Sequence, residues 1–234
     1  MKNYTRKDLD EYLKNDWILD LMKKHDEGGE EREIRTNQWL FDMDNKRMIY
    51  SDVYGDILRG ECIGKRVLDV GGGYNALTKI LAANCDYYLL DYMAHGGNEF
   101  YSERFEKYGI NWIDEDWNDV EAAKYDIVIA NDIFPDVDQR LEMFIDKYLP
   151  VCSELRVVVT YYNTPKFYTT KRVDDSELLT FLSYDGKITS MLLSKYEDRM
   201  VNTSKDELIE MRNFRDTIYR NGRQVSYVGF YGNK

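Results

Sequence analysis

Three consecutive glycines, Gly71-Gly72-Gly73, follow the apolar run Val67-Leu68-Asp69-Val70 and precede a helix-like stretch, Leu77 to Ala83. Glycines between a strand and a helix let the backbone bend sharply and come close to a ligand, because no Cβ stands in the way. That order makes a nucleotide-containing ligand the expectation. Two chemistries compete for the turn. Gly71-x-Gly73-x-x-Ala76 fits the dinucleotide fingerprint, which seats a pyrophosphate on the helix N-terminus. Asp69, two residues ahead of the first glycine, would repel a pyrophosphate and suits a ligand that carries positive charge and no phosphate.

Further candidate groups stand where later strands should end. Tyr87-Tyr88-Leu89-Leu90 reads as the next strand, and its terminal acid, Asp91, lies where nucleotide-binding α/β folds hold ribose hydroxyls. Ile110 to Ile113 is a third strand, followed by Asp114-Glu115-Asp116-Trp117-Asn118. Tyr125 to Ala130 is a fourth, followed by a loop Asn131-Asp132-Ile133-Phe134-Pro135. Leu155 to Tyr161 is a fifth, with Tyr162-Asn163-Thr164-Pro165 after it. Ligands of open α/β sheets bind outside the carboxyl ends of the strands, so these segments should share one edge. Asp132 is the candidate general base there; binding a ligand ammonium or capping the next helix are its alternative roles. His25 and His95 read as helix-end and loop residues. Asn163 has no neighbouring Asp, so a magnesium site is not favoured, and no metal is assigned.

The acid–glycine pattern Asp69-Val70-Gly71-Gly72-Gly73 resembles the S-adenosylmethionine-binding turn of class I (Rossmann-like) methyltransferases. Asn75 stands where that family usually has a third glycine, and Asn is the residue that best tolerates a left-handed backbone in its place. The resemblance spans roughly residues 60–165. It implies S-adenosylmethionine as cofactor, held by Asp69, Gly71, Gly72, Gly73, Asn75, Asp91, Tyr92, Asp116, Trp117 and Asn131. Asp116 and Trp117 would lie beside adenine, with Asp114 or Glu115 as substitutes if the strand runs longer. It also implies methyl transfer to an oxygen or nitrogen acceptor. A cofactor-binding module without transfer is one alternative, and an NAD-dependent oxidoreductase another.

The elements that must position these groups read as an α/β fold. The expected core is a seven-stranded, mostly parallel, doubly wound sheet with an antiparallel C-terminal hairpin, signalled by Asn221-Gly222 between β-rich runs. Residues 1–59 read as an N-terminal helical cap and 60–234 as one compact cofactor-binding domain. Thr5-Arg6-Lys7-Asp8 opens the first helix as a capping box, Gly28-Gly29 stops that helical region, and a second helical stretch runs from about Asn37 to Arg59. The cap either forms a lid over the cofactor edge, makes a homodimer contact, or simply packs. Residues 166–185 read as a substrate-specific insertion, and Ser204-Lys205-Asp206-Glu207 as a further capping box.

A net charge of −11 disfavours nucleic acid and anionic membrane surfaces, since phosphates would be repelled over most of the surface. The expected partner is therefore a small-molecule acceptor. Three scattered cysteines without metal-ligand spacing suit a reducing compartment, and the expected location is cytoplasmic.

Overall fold

The computed structural model describes residues 1–25, 34–93, 98–171, 178–201, 216–219 and 221–233. Gly28-Gly29, His95 and the box at 204–207 lie outside these residues. Seven strands follow the order β1-β9-β6-β5-β2-β3-β4: β1 Lys2–Asn3, β2 Arg66–Val70, β3 Asp86–Leu90, β4 Asn111–Ile113, β5 Tyr125–Phe134, β6 Cys152–Tyr161 and β9 Gln224–Tyr231. The antiparallel hairpin is a separate pair, β7 Lys166–Lys171 and β8 Leu178–Ser183, built from the region read as an insertion. The Asn221-Gly222 turn leads into β9, which runs antiparallel to β6 and to β1.

The chain forms two compact units. One contains residues 9–121 and 125–129. Here β2, β3 and β4 are parallel, with Leu68 opposite Tyr88 and Leu90 opposite Ile113. Val67, Leu68 and Leu89 are fully buried, as expected of parallel strands covered on both faces. Helices α2 Trp17–His25, α3 Arg35–Asp42, α4 Asp44–Val53 and α5 Gly55–Leu58 belong to this unit together with the glycine turn. So do α6 Thr78–Asn84 and α7 Asn98–Tyr108, the latter stopped by Gly109 at φ +66°.

The single helical stretch expected from Asn37 to Arg59 is three helices. Met43, in extended conformation, breaks the first from the second. The break resets the helical phase, and Leu40, Met48, Ile49, Val53, Tyr54, Ile57 and Leu58 form the buried side. Arg47 bridges the break. Its guanidinium is 2.8 Å from Asp16 and donates to the carbonyls of Leu40 and Phe41, two of the acceptors that α3 leaves open at its end.

The other unit contains residues 1–8, 122–124 and 130–234. Thr5 and Asp8 form the expected capping box at the start of α1, Arg6–Tyr12, with bonds of 2.6 to 3.2 Å. α8 Leu141–Tyr148 follows a turn in which Asp138 accepts from the amide and guanidinium of Arg140, and Leu141, Phe144, Ile145 and Tyr148 form its buried face. Phe134, Phe144 and Tyr148 stack into a buried aromatic row with centroids 5.0 and 4.9 Å apart. α9 Gly186–Leu193 is capped by Asp185 and continues as a 3-10 segment.

β5 corrects one expectation directly. The stretch Asn131 to Phe134, read as a loop, is the second half of a ten-residue strand. Ile133 and Phe134 are buried and keep the chain extended, while Asp132 alone turns left-handed at φ +63°.

Candidate functional site

At the end of β2 the backbone turns twice through the left-handed region, at Gly71 (φ +67°) and Gly73 (φ +63°). The two positions that need glycine for conformation are thus the ones the spacing marks. Gly72 needs it for space, since a Cβ there would overlap the carboxylate of Asp69. A Cβ on Gly73 would also meet the Thr36 methyl at 2.9 Å.

Asp69 lies beneath this turn. It is 2 % exposed and accepts from the hydroxyls of Tyr87 at 2.7 Å and Tyr54 at 3.1 Å. Burial pushes its carboxyl up to about 7, with the two tyrosine bonds opposing and the Asp91 charge adding to the rise. Its negative charge is therefore only partly present at neutral pH, and it is turned into the protein. Charge repulsion by Asp69, the reason for preferring a phosphate-free ligand on sequence grounds, is weaker than it reads.

A stronger reason stands on the helix side of the turn. The Asn75 amide donates to the Thr78 hydroxyl at 3.0 Å and the Ala76 amide to the Asn37 side-chain carbonyl at 3.0 Å. The Leu77 amide donates to Asn75 Oδ1 at 2.9 Å, and the Thr78 amide to the Asn75 carbonyl at 3.0 Å. The amides that a dinucleotide pyrophosphate would take are already bound to protein oxygens. Asn75 is not left-handed, contrary to the reason given for its tolerance. It serves as a side-chain cap, a role that glycine could not fill.

Asp91 joins the turn to the end of β3. Its Oδ2 accepts from the Gly73 amide at 3.0 Å and its Oδ1 from Met93 at 2.8 Å, with Met93 left-handed at φ +50°. Backbone amides thus hold both oxygens and fix the orientation of the carboxylate. Around it stand Tyr74, Tyr101, Phe105 and Trp112, whose rings pack within 5.3 to 6.1 Å of one another, and the Trp112 indole donates to the Asp91 carbonyl. Tyr92 is 52 % exposed and Trp117 only 5 %, while Asp116 accepts from the Asn118 amide at 2.8 Å in its own turn. Of these neighbours Thr36, Asn37, Tyr54, Tyr87 and Trp112 carry no motif.

The acceptor-side candidates lie in the other unit, where Asn131 is buried. Asp132 pairs with Arg223, whose Nε is 3.0 Å from Asp136. The guanidinium sits 5.1 Å from the Tyr219 ring centroid. Tyr162 and Tyr168 stand by the same charges, and burial and Asp136 push both phenols up. Asn163 accepts from Gln224. Among the described residues, no three His, Cys, Asp or Glu side chains form a metal-binding group. No helix among them is long and apolar enough to cross a membrane.

No family model matches the chain, and no curated protein sequence matches it. Solved structures do. Magnesium protoporphyrin IX methyltransferase (ChlM) from Synechocystis PCC 6803, with bound S-adenosylmethionine, is 14 % identical with a TM-score of 0.51, covering 92 % of this chain and 97 % of that one. A 1,6-didemethyltoxoflavin-N1-methyltransferase from Burkholderia thailandensis is 10 % identical with a TM-score of 0.49, covering 100 % and 93 %. At such identities the likeness is one of fold, and the fold is that of class I methyltransferases.

Proposed function

We propose that this methyltransferase fold serves a methyltransferase: an enzyme that uses S-adenosylmethionine to methylate a small-molecule acceptor. The observation that carries the reading is the state of the turn's amides. Those of Asn75, Ala76, Leu77 and Thr78 are all satisfied internally, so the turn suits a cofactor without phosphate. Asp91, held at the end of β3 by the Gly73 and Met93 amides, suits the hydroxyls of a ribose. The glycine backbone, with Asp69 and Asn75 beneath and beside it, would take the amino-acid end. Tyr92, Asp116 and Trp117 are proposed for the adenine side, and Asn131 for the cofactor edge of β5. The ChlM structure, with S-adenosylmethionine bound to the same fold, supports this assignment.

Such a cofactor supplies an electrophilic methyl group, so the protein's work is mainly alignment and exclusion of water. Asp132 is proposed as the proton acceptor. Its carboxylate pairs with Arg223, and a carboxylate is a modest base. A modest base suffices when the acceptor atom becomes strongly acidic on gaining its new bond.

Calorimetric titration of the full chain with S-adenosylhomocysteine and with NAD tests the cofactor. The first should bind and the second should not; tight NAD binding with no response to S-adenosylhomocysteine would overturn the reading. A screen of acceptors for S-adenosylhomocysteine release then tests turnover. Binding without release across a broad screen would leave a cofactor-binding module.

A further inference from the structure

The carboxyl end of β6 holds a carboxamide that the protein satisfies on one side only. Gln224, the first residue of β9, lies opposite Tyr161, the last residue of β6, and is 2 % exposed. Its Nε2 donates to Asn163 Oδ1. Its Oε1 is buried and has no hydrogen-bond partner. A carboxamide carries a donor and an acceptor side by side, and a buried one left unmade is costly. The orphaned oxygen marks a place where a donor is wanted.

The group that meets this amide is lightly held. Asn163 lies in the connection from β6 to the hairpin, where Asn163, Thr164 and Pro165 are all exposed. Among the described residues its side chain makes one hydrogen bond, the one from Gln224. Its NH2 does not reach Gln224 Oε1, so the contact is half of what two facing amides can form. Gln224, in contrast, is fixed by the ladder between β6 and β9. An exposed loop side chain thus occupies the donor of a firmly placed amide and leaves the acceptor open.

The position is that of a ligand-reading group. Ligands of open α/β sheets bind outside the carboxyl ends of the strands, and β6 is the neighbour of β5, which carries Asp132. A neutral amide selects by the order of donor and acceptor rather than by charge. A ligand edge with an N–H beside a carbonyl oxygen or ring nitrogen would meet both atoms at once, its N–H on Oε1 and its oxygen or nitrogen on Nε2.

We infer that the Gln224 carboxamide reads the substrate, which displaces Asn163 and pairs through an amide-like edge: a lactam, a primary carboxamide or a heterocycle with the same order of N–H and acceptor. This rests on the methyltransferase reading and narrows its substrate class. Gln224 is then a specificity-determining residue, and Asn163 holds its place until the substrate arrives. The paired edge is the substrate's anchor and need not be the atom methylated.

The test is a fragment set of lactams, each matched by its N-methyl lactam and its lactone, which keep the carbonyl and lose the N–H. Binding to the full chain is read by ligand-observed NMR at millimolar concentration, with S-adenosylhomocysteine affinity measured separately by calorimetry. Lactams should bind at least about tenfold more tightly than both counterparts, because a site built to hydrogen-bond an N–H rejects the analogue that lacks it. Gln224→Met keeps the length of the side chain without its amide and should erase that preference, with S-adenosylhomocysteine affinity unchanged. Asn163→Ala removes the competitor and should strengthen lactam binding; lying on an exposed loop, it decides the matter should Gln224→Met fail to fold. Lactams no better than their counterparts, no hits at all, a preference that survives in folded Gln224→Met, or lactam binding that Asn163→Ala leaves unchanged or weakens would each overturn the inference. Absence of S-adenosylhomocysteine binding by the unmodified protein would instead sink the cofactor reading, so the two failures are distinguishable.

Discussion

The amide of Gly73 donates a 3.0 Å hydrogen bond to the carboxylate of Asp91, so the glycine turn after β2 and the acid after β3 hold one another. The bond presents Asp91 with one oxygen fixed by the turn and the other fixed by Met93. A carboxylate so anchored is held in one orientation, which is what recognition of two adjacent hydroxyls requires.

Asp91→Ala should therefore weaken S-adenosylhomocysteine binding by about 1.5–3 kcal/mol, the usual worth of hydrogen bonds to a charged group. Calorimetry on a variant shown by circular dichroism to be folded gives the answer. Unchanged affinity would move the ribose contact elsewhere.

Gly72→Ala should destabilise the unit and impair cofactor binding, because the new methyl would be driven into the Asp69 carboxylate. Overpacking of this kind costs about 1–3 kcal/mol. Urea unfolding should show a lower midpoint with the slope unchanged. Gly64→Ala makes a useful contrast: it meets no atom within 4 Å, so any loss there comes from its φ of +78° alone.

Asp69 gives a pH dependence whose sign can be worked out. Its carboxyl is raised in the fold from 3.8 to about 7 by burial. Between those values the native state holds the proton more tightly than the unfolded chain, so Asp69 makes stability fall as pH rises from about 4 to about 7 and level off above. The difference between the wild type and Asp69→Asn, followed by urea unfolding at several pH values, isolates this group. The wild type should lose stability relative to the variant across that window, by an amount on the order of a few kcal/mol. A difference independent of pH would mean that Asp69 is charged throughout.

Asn37→Ala removes the partner of the Ala76 amide, and both residues are fully buried. The orphaned donor should cost about 1–3 kcal/mol of stability. Cofactor affinity should fall as well, since the start of α6 loses one of its fixed amides. Normal affinity in the variant would separate α3 from the cofactor turn.

The turn was legible in the sequence for a physical reason: a left-handed backbone selects glycine, and Gly71 and Gly73 adopt one. Asn75 shows the limit, because its presence was explained by backbone tolerance when its side chain is the working part. Asn131 to Phe134 could not be read as strand, because nothing in the composition announces that a strand continues past one left-handed residue. Arg223 was passed over because its partner Asp132 is 91 residues away, and ion pairs at that separation leave no local pattern. Thr36 and Asn37 were missed likewise: a polar pair on a short helix looks solvated until its partners are known.

The internal saturation of the turn's amides has a kinetic consequence. Ala76 is held by Asn37, 39 residues earlier in the chain, so the start of α6 cannot breathe on its own. Its amide hydrogen should exchange with solvent only when α3 lets go, and should stay slow before any cofactor arrives. Protection at Ala76 would then report the opening of α3, and cofactor addition would change it little. A site assembled by its ligand would show the reverse, with fast exchange that stops on binding.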